Sequence, residues 1–169
     1  MFLTLLAGLL LAGFTHARMT RPRAPGETPE LLLVYVLAGY CGIVQVAVAI
    51  AMLLVPDLVA TQVGVPAGNP IEIWAASLLL GAGIIATLSI RFRGSYLIAP
   101  VIVWSVFFLG ASYAHLRTDI LNGRALSPGR VAWTLATHAL VSAILIGLFI
   151  ARRGRSSKTR PSDPIRATP

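Results

Sequence analysis

A chain of 169 residues with 56% hydrophobic and 12% charged residues, and a mean hydropathy of +0.80, cannot clothe a soluble domain, whose surface is ordinarily rich in charge. A formal charge of +8 would suit a nucleic-acid binder, but the basic residues sit in loops and a final tail without stacking aromatics, which excludes that class. The single cysteine, Cys41, falls inside a hydrophobic run, so neither a disulfide framework nor a cysteine-based metal site is open to the chain.

Lipid is therefore the solvent to assume. A hydrocarbon core of roughly 30 Å takes about 20 apolar residues per helix, and five runs qualify or come close: residues 2–16, 31–55, 71–90, 95–115 and 131–151, none of them containing Lys or Arg. They lack the alternation of barrel strands, which leaves helices as the spanning element. The expected fold is all-α, an integral membrane bundle of five transmembrane helices over residues 1–151, followed by a disordered basic tail, residues 152–169. With the N-terminus outside and the C-terminus cytoplasmic, the inner segments hold eleven basic residues: Arg18, Arg21, Arg23, Arg91, Arg93, Arg152, Arg153, Arg155, Lys158, Arg160 and Arg166. The outer segments then hold three, Arg117, Arg124 and Arg130, which is the asymmetry the positive-inside rule requires. Thirteen of the fourteen basic residues are Arg, a composition that fits a GC-rich bacterial coding sequence and hence a bacterial inner-membrane protein.

In chain order, the first run has the length of a signal peptide but no basic n-region, and ARMTRPR after it would resist translocation, so it is read as a retained short helix with His16 as a solvated flank. Thr28, Pro29 and Glu30 read as N-cap, first helical position and first-turn acid of the second run. Within that run Ala38 and Gly42 permit close backbone approach, and the amide of Gln45, sitting in hydrocarbon, should face protein. Asp57 is placed at the start of a short interfacial turn ending near Gln62, broken by Gly64, Pro66 and Gly68.

Asn69, Pro70 and Glu72 match an N-cap, a proline at the first helical position and an acid at the third, opening the third run. Trp74 belongs to the interfacial aromatic belt. Ser77 with Gly81, and Ala82 with Ala86, make two small-residue stripes, from which the third helix is expected to be central and tightly packed. The turn Arg91–Gly94 then makes a hairpin with the fourth run, whose outer half holds Gly110, Ala111, Ser112, Tyr113 and His115. Ser127 and Pro128 cap the fifth run, where Thr134, His138 and Ser142 follow one another at i, i+4 spacing.

The run from Pro56 to Gly83 and that from Val106 to Trp133 carry a resemblance to a family of uncharacterised bacterial membrane proteins, a domain of unknown function. The matching positions are Pro56 with Asp57, Gly64, Glu72, and Gly110 with Ala111 followed by His115, within a similarity covering most of Leu31 to Ala151. Val65 stands where the family pattern has tryptophan after the loop glycine, and its histidine late in the second helix is absent here. A looser likeness exists to small DoxX-like membrane proteins with redox-associated roles. Neither resemblance supplies a catalytic residue.

The sequence has no P-loop, dinucleotide fingerprint, HExxH, nucleophile elbow or CxxC. Two function classes remain. The first is non-catalytic: an accessory or assembly protein contacting membrane lipids and a second copy or another membrane protein. The second is an outer-leaflet polar pocket for a quinone, lipid, proton or metal. For it, depth arithmetic puts Gln45, Ser77 and His138 about 9 to 15 Å below the outer boundary at 1.5 Å per residue. Thr134 lies one turn above His138, and Glu72 and His115 stand at the mouth. Intramembrane ionisable groups carry a functional reading by default, against which stand capping for Glu72, an interfacial place for His115 and a hydrogen bond to Thr134 or Gln45 for His138. No catalytic residue and no resident metal are assigned.

Overall fold

The computed structural model describes residues 2–19, 26–57, 70–121, 123 and 127–153. These residues form five helices and, among them, no strand: α1 (Phe2–Met19), α2 (Glu27–Leu54), α3 (Pro70–Ile90), α4 (Gly94–Leu121) and α5 (Pro128–Arg153). Four of them, α2 to α5, are long and apolar enough to cross a membrane, and α1 adds a shorter apolar helix, Leu3–Met19. The turn from Asp57 to Gln62 lies outside the described residues beyond Asp57. So do the breakers Gly64, Pro66 and Gly68, the cap Asn69, the basic residues Arg21, Arg23 and Arg124, and the tail from 154 onward.

The helices α2 and α5 each begin a few residues before their hydrophobic runs. Ser127 is the N-cap of α5, its hydroxyl accepting from the Arg130 backbone N–H at 3.3 Å, with Pro128 in the first helical position. At the start of α2 the cap is not Thr28 but Gly26, whose φ of 95° is left-handed, so the helix begins at Glu27 and Thr28 lies inside its first turn. A Cβ on Gly26 would also stand 3.0 Å from the Arg152 carbonyl oxygen, so the chain passes too close there for a side chain.

Helix α2 is the axis of the bundle and touches all four others. Over half of its apolar window is buried (56%), against 28% for α3, so the expectation of a central third helix is corrected. Every face of α3 is apolar, and hydrophobicity alone could not say which one packs. The buried face is Glu72, Ala76, Leu79, Gly83 and Ala86, while Ser77 is exposed and a Cβ on Gly81 would meet nothing within 4 Å. The close seam lies on Gly83, whose Cβ would come 3.2 Å from the Gly42 carbonyl oxygen, and on Gly42, whose Cβ would come 2.9 Å from the Thr87 backbone nitrogen.

Around that axis the core is built from Leu33, Leu37 and Cys41 of α2, Leu97, Trp104 and Phe108 of α4, and Val141 and Leu145 of α5. The α3–α4 hairpin is pinned near its turn by side chains reaching backbone carbonyls: Tyr96 Oη donates to Ile85 O at 2.7 Å and Trp104 Nε1 to Ala82 O at 3.3 Å. Helix α1 docks on α2 through Gly13 against Leu32 and Tyr35, and His16 Nδ1 lies 2.8 Å from Tyr35 Oη. His16 therefore joins two helices and is more than a solvated flank.

Four stretches depart from α-geometry: Val36–Val44 in α2 and Leu135–Ala139 in α5 are π-helical, and Leu88–Ile90 of α3 and Gly94–Leu97 of α4 are 3-10. A π-turn inserts residues into the ladder and rotates the helix beyond it, and such turns are frequent at functional sites. Arg152 and Arg153, placed by their charge in the tail, are the last turn of α5 instead. Arg152 Nη1 pairs with Glu30 at 3.2 Å and its Nη2 donates to Gly94 O at 2.7 Å, so one guanidinium joins the end of α5, the start of α2 and the α3–α4 turn. The opposite end of the bundle carries the end of α2, the start of α3, the end of α4 and the start of α5. His115 and Asp119 of α4 and Arg130 and Thr134 of α5 lie there.

Candidate functional site

The α4–α5 interface at that end is a ladder of polar pairs. On α4 the steps 105, 108, 112, 115 and 119 alternate three and four residues, which keeps Ser105, Phe108, Ser112, His115 and Asp119 on one stripe. Facing them on α5 are Arg130, Thr134, His138 and Ser142, the four-residue spacing read from the sequence extended one turn toward the loop. The outermost rung is an ion pair, Arg130 Nη1 to Asp119 Oδ1 at 2.9 Å. One turn deeper, the rings of His115 and His138 have their centroids 5.2 Å apart with planes inclined at 46°. Deeper still, Ser142 Oγ donates to Ser105 O at 3.0 Å. Phe108 fills the space beneath the histidines, its centroid 6.1 Å from that of His138.

The π-turn sets the orientation of His138. Its Nδ1 lies 3.2 Å from Thr134 O and 2.8 Å from Thr137 Oγ1, and Thr137 Oγ1 itself donates toward Trp133 O at 2.9 Å. Thr134 O can only accept, so a bond to it takes a proton on Nδ1, whereas the Thr137 hydroxyl, within reach of Trp133 O, Thr134 O and the ring nitrogen, suits either tautomer. Thr134 is buried and contributes its carbonyl oxygen, while His115, on α4, is exposed.

The remaining residues named from the sequence lie elsewhere. Gln45 is buried at the junction where the π-segment of α2 ends, as an amide in hydrocarbon requires, and Glu72 is buried in the first turn of α3, which packs chiefly on α2. Ser77 is exposed and donates to Ile73 O of its own helix at 2.9 Å. The six residues thus divide: His115, Thr134 and His138 on the α4–α5 interface, Gln45 and Glu72 with the α2–α3 pair, and Ser77 on an outward face. Between α3 and α4 runs an apolar groove of about 390 Å³ lined by residues including Leu78, Ala82, Ile102 and Phe107. Among the described residues no group of three or more His, Cys, Asp or Glu side chains converges as a metal cage would.

Three further polar residues contribute to this interface without being expected from the sequence: Thr137, Asp119 and Arg130. Asp119 is four residues after His115 and Arg130 four before Thr134, so the same helical spacing points to them. Thr137 is brought to the ring of its neighbour His138 by the π-turn, which no α-helical spacing foretells.

Fold and site together define a small all-helical protein of membrane type, with a polar ladder between its last two helices. The chain belongs to a family of unknown function, DUF6790, whose pattern spans residues 1–158 and so includes α1 as well as the four long helices. No curated protein and no solved structure matches it.

Proposed function

We propose that this is a bacterial inner-membrane protein with a non-catalytic accessory or assembly role, crossing the bilayer five times with its N-terminus outside and its C-terminus in the cytoplasm. The observation that carries the role is where the helix hydroxyls and the indole go. Thr87 bonds Gly83 O, Ser112 bonds Phe108 O, Thr137 bonds Trp133 O, Ser142 bonds Ser105 O and Trp104 bonds Ala82 O. Ser142 and Trp104 thereby tie neighbouring helices together in lipid, while Thr87, Ser112 and Thr137 bond carbonyls four residues back in their own helices. The orientation is supported by the ends of α1 and α5, the start of α2 and the Arg91–Gly94 turn, which carry Arg18, Arg152, Arg153, Arg91 and Arg93 and are joined around Arg152 and Tyr35. The basic tail beyond them would lie on anionic inner-leaflet lipids. In-cell cross-linking of the tagged chain, with identification of the molecules joined to it, tests the role: a specific membrane protein or a second copy supports it, and recovery of the uncross-linked chain alone opposes it.

A second reading has an observation of its own. Two imidazole rings, His115 and His138, lie with centroids 5.2 Å apart at the end of the bundle assigned here to the outer leaflet, which supports a polar site there for a quinone, lipid, proton or metal ion. Purification in mild detergent with analysis of bound small molecules tests it.

A further inference from the structure

We propose that the α3–α4 hairpin holds one anionic diacyl phospholipid, its phosphate on Arg91 and Arg93 at the turn and an acyl chain in the groove between the two helices. The site is separate from the α4–α5 interface and independent of both functional readings above. Two observations of different chemistry carry it.

The first is the charge at the turn. Arg91 and Arg93 are exposed, and among the described residues neither side chain forms an ion pair or a hydrogen bond. Arg152 reaches the same turn through Gly94 O at 2.7 Å, but its charge is matched by Glu30 at 3.2 Å. Two guanidinia therefore remain for an anion, and at a membrane surface the phosphodiester of a lipid is the anion within reach.

The second is the groove. Helix α3 packs chiefly on α2 and α4 chiefly on α5, and the apolar cleft left between them, of about 390 Å³, lies within the range of small-molecule sites, about 300–1,000 Å³. Leu78, Ile102 and Val106 on its rims are 63%, 57% and 66% exposed, so the cleft opens to hydrocarbon. Trp104, 1% exposed, forms its floor and donates to Ala82 O at 3.3 Å.

The spacing joins the two. Ala82 and Leu78 lie nine and thirteen residues before Arg91, about 14 and 20 Å at 1.5 Å per residue. From headgroup to midplane a bilayer of about 40–45 Å measures about 20–22 Å. A lipid whose phosphate meets the turn thus lays its chain past Ile85 and Ala82 to Leu78, which share one stripe of α3. Phe92 is exposed with its ring 5.4 Å from that of Tyr96, an aromatic pair at the level of the lipid glycerol. A second copy of the chain suits the groove less well. Inserted in the same orientation, it would bring its own arginines to this level and add repulsion.

The test uses the full-length chain with Trp74→Phe and Trp133→Phe, which leaves Trp104 as the one tryptophan. It is reconstituted in phosphatidylcholine vesicles containing a small fraction of phosphatidylglycerol or phosphatidylcholine brominated on the acyl chains, a contact quencher of indole. Brominated phosphatidylglycerol should quench Trp104 at a mole fraction at least about tenfold lower than brominated phosphatidylcholine, each arginine at the surface contributing about fivefold. Arg91→Gln combined with Arg93→Gln should bring the two lipids within about twofold, while Arg117→Gln, exposed at the other end of α4, should leave the preference unchanged. Neither Arg91 nor Arg93 is packed, so the double variant separates loss of the site from loss of the fold. Equal quenching by the two lipids would overturn the assignment, as would a preference that survives the double variant. So would an unquenched Trp104 accompanied by disulfide cross-linking of Ile102→Cys between chains in a Cys41→Ala background, which would give the groove to a second copy.

Discussion

Arg152 and Glu30 are 122 residues apart in the chain, and their side chains meet at 3.2 Å where the last helix ends beside the start of α2. The same guanidinium donates to Gly94 O, so three segments of the bundle are fixed by one planar group. The Arg152 side chain is 10% exposed and that of Glu30 26%. Arg152→Ala leaves Glu30 with a largely shielded charge and removes the bond to Gly94. It should cost about 2 to 3 kcal/mol. Arg152→Lys should recover less than half of that, because one ammonium cannot serve both acceptors in the geometry of the fork. Thermal unfolding in detergent measures both, and equal stability of the wild type and Arg152→Ala would show the clasp to be incidental.

The second expectation concerns the α2–α3 seam. A side chain at Gly42 or Gly83 must displace backbone of the opposite helix, whereas one at Gly81 enters open space. Gly83→Leu and Gly42→Leu should therefore destabilise by more than about 2 kcal/mol, and Gly81→Leu by less than about 0.5. Thermal aggregation in detergent ranks the three, and a Gly81→Leu variant as unstable as Gly83→Leu would place the packed face of α3 on the wrong side.

Single residues show how far the sequence reveals this fold. The helices are legible because lipid leaves a long apolar run no other way to satisfy its backbone, and the Ser127–Pro128 start and the burial of Gln45 are readable for local reasons. Which small residue of α3 meets α2 is not, since Ser77, Gly81 and Gly83 sit on a helix that is apolar all round and carries no polar face to orient it. Arg152 reads as tail because charge counts do not reveal a partner 122 residues away. On the candidate site, the His115 and His138 stripes are visible at helical spacing. The π-turn that brings Thr137 to the His138 ring is hidden, because spacing arguments assume 3.6 residues per turn.

The indole of Trp104 gives a smaller and cleaner test of the α3–α4 hairpin. Trp104→Phe retains an aromatic in the core but loses the bond to Ala82 O. It should cost about 1 to 2 kcal/mol, the sum of a lost membrane hydrogen bond and reduced packing volume. Chemical denaturation in mixed micelles reads the difference, and an unchanged midpoint would remove that bond from the account of the hairpin.

The proposed orientation rests on the distribution of the arginines. With Cys41→Ala as background, Gly129→Cys at the exposed start of α5 should react with an impermeant maleimide added to intact cells. A cysteine at Arg93 should react only after lysis. The reverse pattern would invert the topology.

The role itself is tested most directly by native mass spectrometry of the chain released from lipid nanodiscs. An accessory or assembly protein should appear bound to a second copy or to a distinct membrane protein, with the assembly preserved in His138→Ala. A lone chain carrying one small organic molecule, lost in His138→Ala, would contradict that role and make the α4–α5 histidine pair the business of the protein.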